Sequence, residues 1–198
     1  MPTPNRRIGV LLAAGRGGRM GSTKQLKPWP SAGGPMPLIC AAYDAITLIC
    51  DDMVVVLGHD AEAVASALAD RAFHPAQSAA DEPMFESIRA GLKRARELDP
   101  QSWVVLQPGD HPEVRPITLS AIASQANAQP TQAIIPEFAG RGGHPILIPP
   151  NIVTLLIEAS CPDGLGQFWR EHREHCNRLP VDDPSIHRDV DTPADLPE

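Results

Sequence analysis

An α/β fold with a mostly parallel central sheet is what this sequence predicts, and three features predict it. Short, almost wholly apolar runs at residues 8–14, 53–58 and 103–107 have the composition of strands covered on both faces. Between them lie stretches whose apolar residues recur at helical spacing. The first run passes straight into a glycine-rich turn and Asp110 stands just past the third, so polar residues gather where strands end. A length of 198 residues suits one domain over residues 1–198.

Taken in order, residues 8–14 (IGVLLAA) read as the first buried strand and residues 35–49 as a helix. The β-branched run MVVVLG at 53–58 is the second strand. Asp60 can cap a helix running to about Arg71, residues 86–98 read as another, and WVVLQ at 103–107 is the next buried strand. Residues 133–136 and 145–148 supply later strands, and 151–160 and 164–174 supply helices. The 22 prolines scatter through turns and form no linker.

The formal net charge of -7 speaks against a nucleic-acid binder, which would carry a basic field. The basic residues are concentrated locally. Arg6, Arg7, Arg16, Arg19, Lys24 and Lys27 follow one another with no acidic residue between them, which points to a focused anion site. No apolar stretch approaches membrane-spanning length, and Arg16 and Arg19 break the faint echo of a secretory signal, so the chain reads as cytoplasmic. Cys40, Cys50, Cys161 and Cys176 are widely spaced without a CxxC pair and read as reduced, mostly buried thiols.

The turn after the first strand carries Gly15, Gly17, Gly18 and Gly21, whose backbone can bring several N–H groups to one anion. Arg19 and Lys24 add fixed positive charge there, and the implied ligand is a nucleoside triphosphate. A Walker loop is excluded because Lys24 comes three residues after Gly21. A dinucleotide fingerprint starting at Gly15 would need a third glycine where Met20 stands.

These residues resemble the MobA-like nucleotidyltransferases. Leu12, Ala13, Ala14 and Gly15, then Arg19, Met20 and Gly21, then Lys24 and Leu26 match the family's opening motif. Gly109, Asp110, His111 and Pro112 resemble its GDMP motif, with histidine in place of methionine. Gly142 to Leu147 (GGHPIL) resembles GHPxL, and Asp189 to Leu196 (DVDTPADL) resembles the closing DxDTPxD. Within the family, the LAAG, GHPIL and DVDTP forms look most like molybdenum cofactor cytidylyltransferase.

The resemblance implies a Rossmann-like nucleotidyltransferase fold, with helices on both faces of the sheet, and transfer of CMP from CTP to a phosphorylated acceptor of the molybdopterin type. Leu12 to Gly15, Arg16, Gly17, Gly18, Arg19, Met20, Gly21, Lys24 and, more remotely, Ser87 are the expected nucleotide-binding residues, with base choice resting on the backbone around Ala13 to Gly15. Mg²⁺ is the expected cofactor, held by Asp110 and by Asp189 or Asp191; the family match favours Asp189, and alternation along an extended segment separates the two. Arg19, Lys24 and Asp110 are the expected catalytic groups, the two cations stabilising the transition state, since an aligned acceptor phosphate can attack without a covalent nucleophile. His111, Gly143 and His144 are the expected acceptor-side residues. Contact with a molybdoenzyme is an expected transient partnership.

Alternatives stay open at this point: GTP with the same acceptor, CTP with a small phosphoalcohol such as methylerythritol phosphate, or a noncatalytic protein that binds nucleotide and delivers a cofactor. His172, His175 and Cys176 suggest a metal, but EHREHC is not HExxH and offers no evident third ligand, so it reads as a solvated helical surface.

Overall fold

Strand β1 (Arg7–Ala13) forms where an apolar run can be covered on both sides. It lies inside the main sheet of the computed structural model, which describes residues 6–15, 23–79 and 82–196. Strands β2 (Pro28–Trp29) and β3 (Met36–Pro37) make a small antiparallel hairpin that leads into helix α1 (Leu38–Thr47) and strand β4 (Asp52–Leu57). Helix α2 (Ala61–Ala67), β5 (His74–Gln77), α3 (Met84–Leu98) and β6 (Trp103–Pro108) follow. Then come α4 (Pro116–Ala128), β7 (Ala133–Phe138), β8 (Arg141–Gly142), β9 (Ile146–Ile148), α5 (Pro150–Glu158), α6 (Leu165–Glu171) and β10 (Cys176–Pro180).

The main sheet runs β10-β7-β9-β6-β1-β4-β5, with β8 hydrogen-bonded to β7. Strand β1 pairs in parallel with both β4 and β6, β4 with β5, and β10 with β7. Strand β9 is reversed: it runs antiparallel to β6, where Leu106 faces Ile146, and to β7, where Ile134 faces Leu147. The mostly parallel α/β architecture expected from the sequence is therefore present, with a reversed strand inserted near the site.

Side-chain alternation divides the core between the two faces. Ile8, Val10, Val56 and Leu106 pack with α3, α5 and α6 on one face, and Leu11, Ala13, Val55 and Val105 pack with α1, α2 and α4 on the other. Each valine, leucine and isoleucine among them contributes about 1.5–3 kcal/mol by burial, against about 0–1 kcal/mol for a surface ion pair, so the two-sided sheet dominates stability.

The structure also differs from the sequence reading. Strands β5 and β10 and helix α4 were not expected, and the helix expected to run to Arg71 ends at Ala67. There the Leu68 N–H bonds the Val64 and Ala65 carbonyls, tightening the last turn, while the Arg71 guanidinium is held by Asp44. Asp60 stands at the N-cap of α2, but its carboxylate accepts from the Thr23 hydroxyl at 2.6 Å and makes no cap bond. The helix expected over 164–174 stops at Glu171, because the chain must turn at Arg173–His175 to pair as β10 along β7.

Past β10 the chain returns across the carboxyl ends of the strands. Asp183 is fully buried and accepts from the Thr118 hydroxyl (2.6 Å), the Arg115 N–H (3.1 Å) and the Ser185 N–H (3.1 Å). Val190, also fully buried, packs against Trp29 and Leu38. Burial alone would raise the Asp183 carboxyl, but the bonds from Ser185, Thr118 and Arg115 outweigh it and hold it below its ordinary value. Its stabilisation is therefore present above the unfolded value of 3.8 and is lost as pH falls through the lower folded value. Asp183→Ala leaves those donors without a partner, and the expected loss is about 1–3 kcal/mol in urea unfolding at neutral pH. An unchanged midpoint would show that water replaces the carboxylate.

Candidate active site

Parallel strands end together, and the site forms where they do. Ala14 and Gly15 leave β1, and Gly109 and Asp110 leave β6, whose Pro108 lies beside Leu12. The Gly109 N–H bonds the Leu12 carbonyl at 2.8 Å, and a Cβ at Gly109 would strike that carbonyl, so only glycine lets Asp110 approach the β1 turn this closely.

Lys24 opens a 3-10 turn, Lys24–Leu26, and its Nζ lies 2.7 Å from Asp110 Oδ2 and 2.8 Å from Asp191 Oδ1. Three segments far apart in sequence are thus joined by one ammonium. Lys24 is 12% exposed, Asp110 24% and Asp191 41%, so the cluster opens toward solvent on the Asp191 side. Burial would lower the Lys24 ammonium, but its bonds to Asp110 and Asp191 raise it above its ordinary value. Burial would likewise raise Asp110, yet the hydrogen bonds from His111 and Lys24 hold it far below the usual carboxylate range. Asp110 is therefore ionised at any pH at which the protein works.

Further residues fix this cluster. His111 Nδ1 lies 2.8 Å from Asp110 Oδ1, so one carboxylate oxygen faces the histidine and the other faces Lys24. The His111 carbonyl accepts from the buried Gln107 Nε2 at 2.7 Å. Gln25, also buried, donates from Nε2 to the Gly15 carbonyl at 3.1 Å and ties the Lys24 turn to the end of β1. Sequence reasoning missed Gln25 and Gln107; the only signal available was a polar residue adjoining an apolar run beside a motif. The Val190 N–H bonds the Asp110 carbonyl at 3.0 Å, and Asp195 accepts from the Asp191 N–H at 3.1 Å and the Thr192 N–H at 2.7 Å, so the closing segment is held by its own backbone.

The expected site residues are placed as follows. Lys24, Asp110 and Asp191 meet directly, and His111 adjoins them. Asp189 was favoured over Asp191 by the family match, but it is exposed, and among the described residues Lys24 meets Asp191 instead. Leu12, Ala13, Ala14 and Gly15 form the adjoining end of β1. Ser87 is buried near the start of α3, with its hydroxyl 2.9 Å from Ser78 Oγ. Arg16, Gly17, Gly18, Arg19, Met20 and Gly21 lie outside the described residues.

The reversal of β9 brings its entry to the same edge. Gly143 donates to the Pro136 carbonyl at 2.8 Å, and the His144 N–H donates to the Ile186 carbonyl at 3.0 Å. The His144 ring stands edge-on to His111 with centroids 5.2 Å apart, its Nδ1 buried and without a partner. Beyond it opens a cavity of about 630 Å³ bounded by β7, β8 and α6. A larger groove of about 980 Å³ lies between Trp29, Met36 and the Pro112–Pro116 loop; it does not take in Lys24 or Asp110 and so is set apart from the ionic cluster.

At the C-terminal end of α6, His172, Glu174 and His175 present ligand atoms within 4.8 Å of one another. Glu174 is thus the third group that the spacing of EHREHC did not reveal, and the chain there is a 3-10 turn, not a continuous helix. The cluster is half-buried to exposed.

A family model of the MobA-like NTP transferase domain matches residues 9–176. The chain belongs to that family. This MobA-like NTP transferase is 34% identical to the bifunctional protein GlmU of Paraburkholderia phytofirmans over 171 residues, 86% of this chain and 32% of that one. The chain thus spans about a third of the length of the GlmU proteins it matches. It is 28% identical over 200 residues to a probable molybdenum cofactor guanylyltransferase of Rhodopirellula baltica, covering 96% of this chain and 89% of that one. In three dimensions it is similar to Rv0371c of Mycobacterium tuberculosis, with a TM-score of 0.80, 29% identity and coverage of 96% and 95%. Rv0371c has also been solved as a manganese complex, which matches at 27% identity and a TM-score of 0.76, covering 96% of this chain and 95% of that one.

In this MobA-like transferase, burial pushes the His144 imidazole down from 6.5 to about 4. Between those values the unfolded chain binds a proton that the folded protein refuses, so stability falls as pH is lowered from 6.5 toward 4. In His144→Gln that part of the acid loss should disappear from urea midpoints compared at about pH 7 and about pH 4.5. An identical pH dependence in both proteins would refute the buried neutral imidazole.

Proposed function

We propose that this transferase moves CMP from CTP to a phosphorylated acceptor, with a molybdopterin-type cofactor as the leading candidate, and that it does so in the cytoplasm with Mg²⁺. The observation that supports the reading is the Lys24 ammonium set between Asp110 and Asp191 beside the end of β1. Nucleotidyl transfer needs a place where crowded phosphate charge is neutralised and the acceptor is aligned; a divalent ion on the two carboxylates, with Lys24 beside it, would supply that charge.

A divalent cation fits the donor set. Two carboxylates converge on the Lys24 ammonium at 2.7 and 2.8 Å, so an ion held by them would take the place of that ammonium. Asp110 and Asp191 would hold the ion, and when bound it neutralises polyphosphate oxygens. The protein's own groups do the rest. His111 orients Asp110, Gln25 holds the β1 turn against the Lys24 turn, and Lys24, released by the ion, turns its ammonium to the phosphates. The acceptor phosphate attacks the α-phosphorus directly and pyrophosphate leaves, with no protein nucleophile. Arg19 is assigned here to the leaving phosphates, from its place in the opening motif.

GTP is the second reading, favoured by the similarity to a molybdenum cofactor guanylyltransferase. Pyrophosphate release from CTP, GTP, ATP and UTP in turn, with Mg²⁺ and with or without molybdopterin, separates the two. Release from CTP only when the acceptor is present supports the proposal; release from GTP alone replaces it with the second reading. Nucleotide binding without release under any condition would reject catalysis with this acceptor.

Two substitutions test the roles. Asp110→Asn should leave the fold intact and lower turnover by about 100-fold or more, and normal turnover would remove Asp110 from the chemistry. Lys24→Ala should weaken CTP binding far more than cytidine binding, while equal weakening would assign Lys24 a purely structural part.

A further inference from the structure

The cavity beyond His144 has a chemistry that a single attacking phosphate does not explain. Its rim carries Arg170 at the end of α6, Arg173 on the turn after it, and Arg178 on β10. All three are exposed and form no ion pair among the described residues, in a chain whose net charge is -7. Against them the described lining offers one carboxylate, Glu137. Arg178 is committed to the cavity wall, since its guanidinium lies over Gly142, where a Cβ would collide with it.

Two buried polar atoms without partners occur on the same wall. Trp169, 7% exposed, has a buried indole N–H with no acceptor, and His144 has a buried Nδ1 with no donor. An unpartnered buried polar group costs free energy unless something supplies the missing bond. The cavity wall also adjoins the ionic cluster, because its His144 stands edge-on to His111 and His111 bonds Asp110.

We propose that this cavity takes a second anionic group of the acceptor, carboxylate or phosphate, on Arg170, Arg173 and Arg178, apart from the phosphate that attacks the nucleotide. The proposal rests on the transferase reading for its orientation: the attacking phosphate lies toward Asp110, and the acceptor body passes His111 and His144 toward Trp169. The substrate class is thus an acceptor with at least two anionic groups at its two ends, which a molybdopterin with its single phosphate does not meet, so this inference keeps the transferase reading and replaces its leading acceptor. Planar guanidinium forks suit such oxygens better than ammonium groups do.

The sequence holds three tryptophans, so ¹⁵N-indole labelling gives a short spectrum in which Trp169→Phe identifies the reporter signal. The probes are glycerol 3-phosphate, 3-phosphoglycerate and propane-1,3-diyl bisphosphate, which carry one phosphate, a phosphate with a carboxylate, and two phosphates. At least one two-anion probe should shift the Trp169 signal and bind about tenfold or more tightly than glycerol 3-phosphate, and the comparison between them identifies the preferred second group. That advantage should vanish in Arg173→Ala and Arg178→Gln, whose thermal midpoints should match the parent because both side chains are exposed. Equal affinity for all three probes, no binding, or an advantage that survives both arginine variants and disappears in Lys24→Ala would each overturn the proposal. Pyrophosphate release is measured separately. A protein that releases it and fails here keeps the transferase reading, and one that passes here without releasing it loses that reading alone.

Discussion

One ammonium group sets the constraint on which the rest of the site depends. Lys24 Nζ meets Asp110 and Asp191, residues separated from it by 86 and 167 positions, and satisfies two carboxylates that would otherwise repel each other. Everything nearby serves that meeting. Gln25 fixes the turn that carries Lys24, Gly109 lets the β6 turn close on the Leu12 carbonyl, and Val190 anchors the segment that delivers Asp191. The sheet supplies stiffness, and the short polar bonds supply register.

The centre of the fold was legible because its strands are buried on both faces. Strands β1, β4 and β6 read as unbroken apolar runs, and each lies within one residue of its expected bounds. The edges were not legible, for a physical reason. Strand β5 (HPAQ) contains Pro75, and β10 (CNRLP) holds two polar residues in a row and ends in Pro180, so neither edge strand carries an apolar run. Helix α4 was hidden because its alanine- and serine-rich face gives almost no contrast between sides, although Pro116 at its first position suits a helix start.

The site was legible where a motif coincided with the end of a strand. Lys24 and Asp110, which meet in the candidate site, were singled out that way, whereas which of Asp189 and Asp191 reaches Lys24 depended on how a short extended segment is rotated, which sequence does not encode locally. Arg170, Arg173 and Arg178 lie close together in sequence, but that they face a cavity appears only when β10 pairs beside β7. Long-range pairing supplies the opposite wall, and no window of sequence contains both. The reversed strand β9 has a similar role, because its opposite direction places a strand entrance, with His144, among strand exits.

The closing segment gives the molecule a sense of time. The last strand of the sheet, Cys176–Pro180, precedes Val190 and Asp191 in the chain. The strands can therefore pair without Asp191, whereas the ionic cluster cannot close without it. Docking of Val190 against Trp29 and Leu38 brings Asp191 to that cluster, so pairing the strands and closing the cluster are separate events.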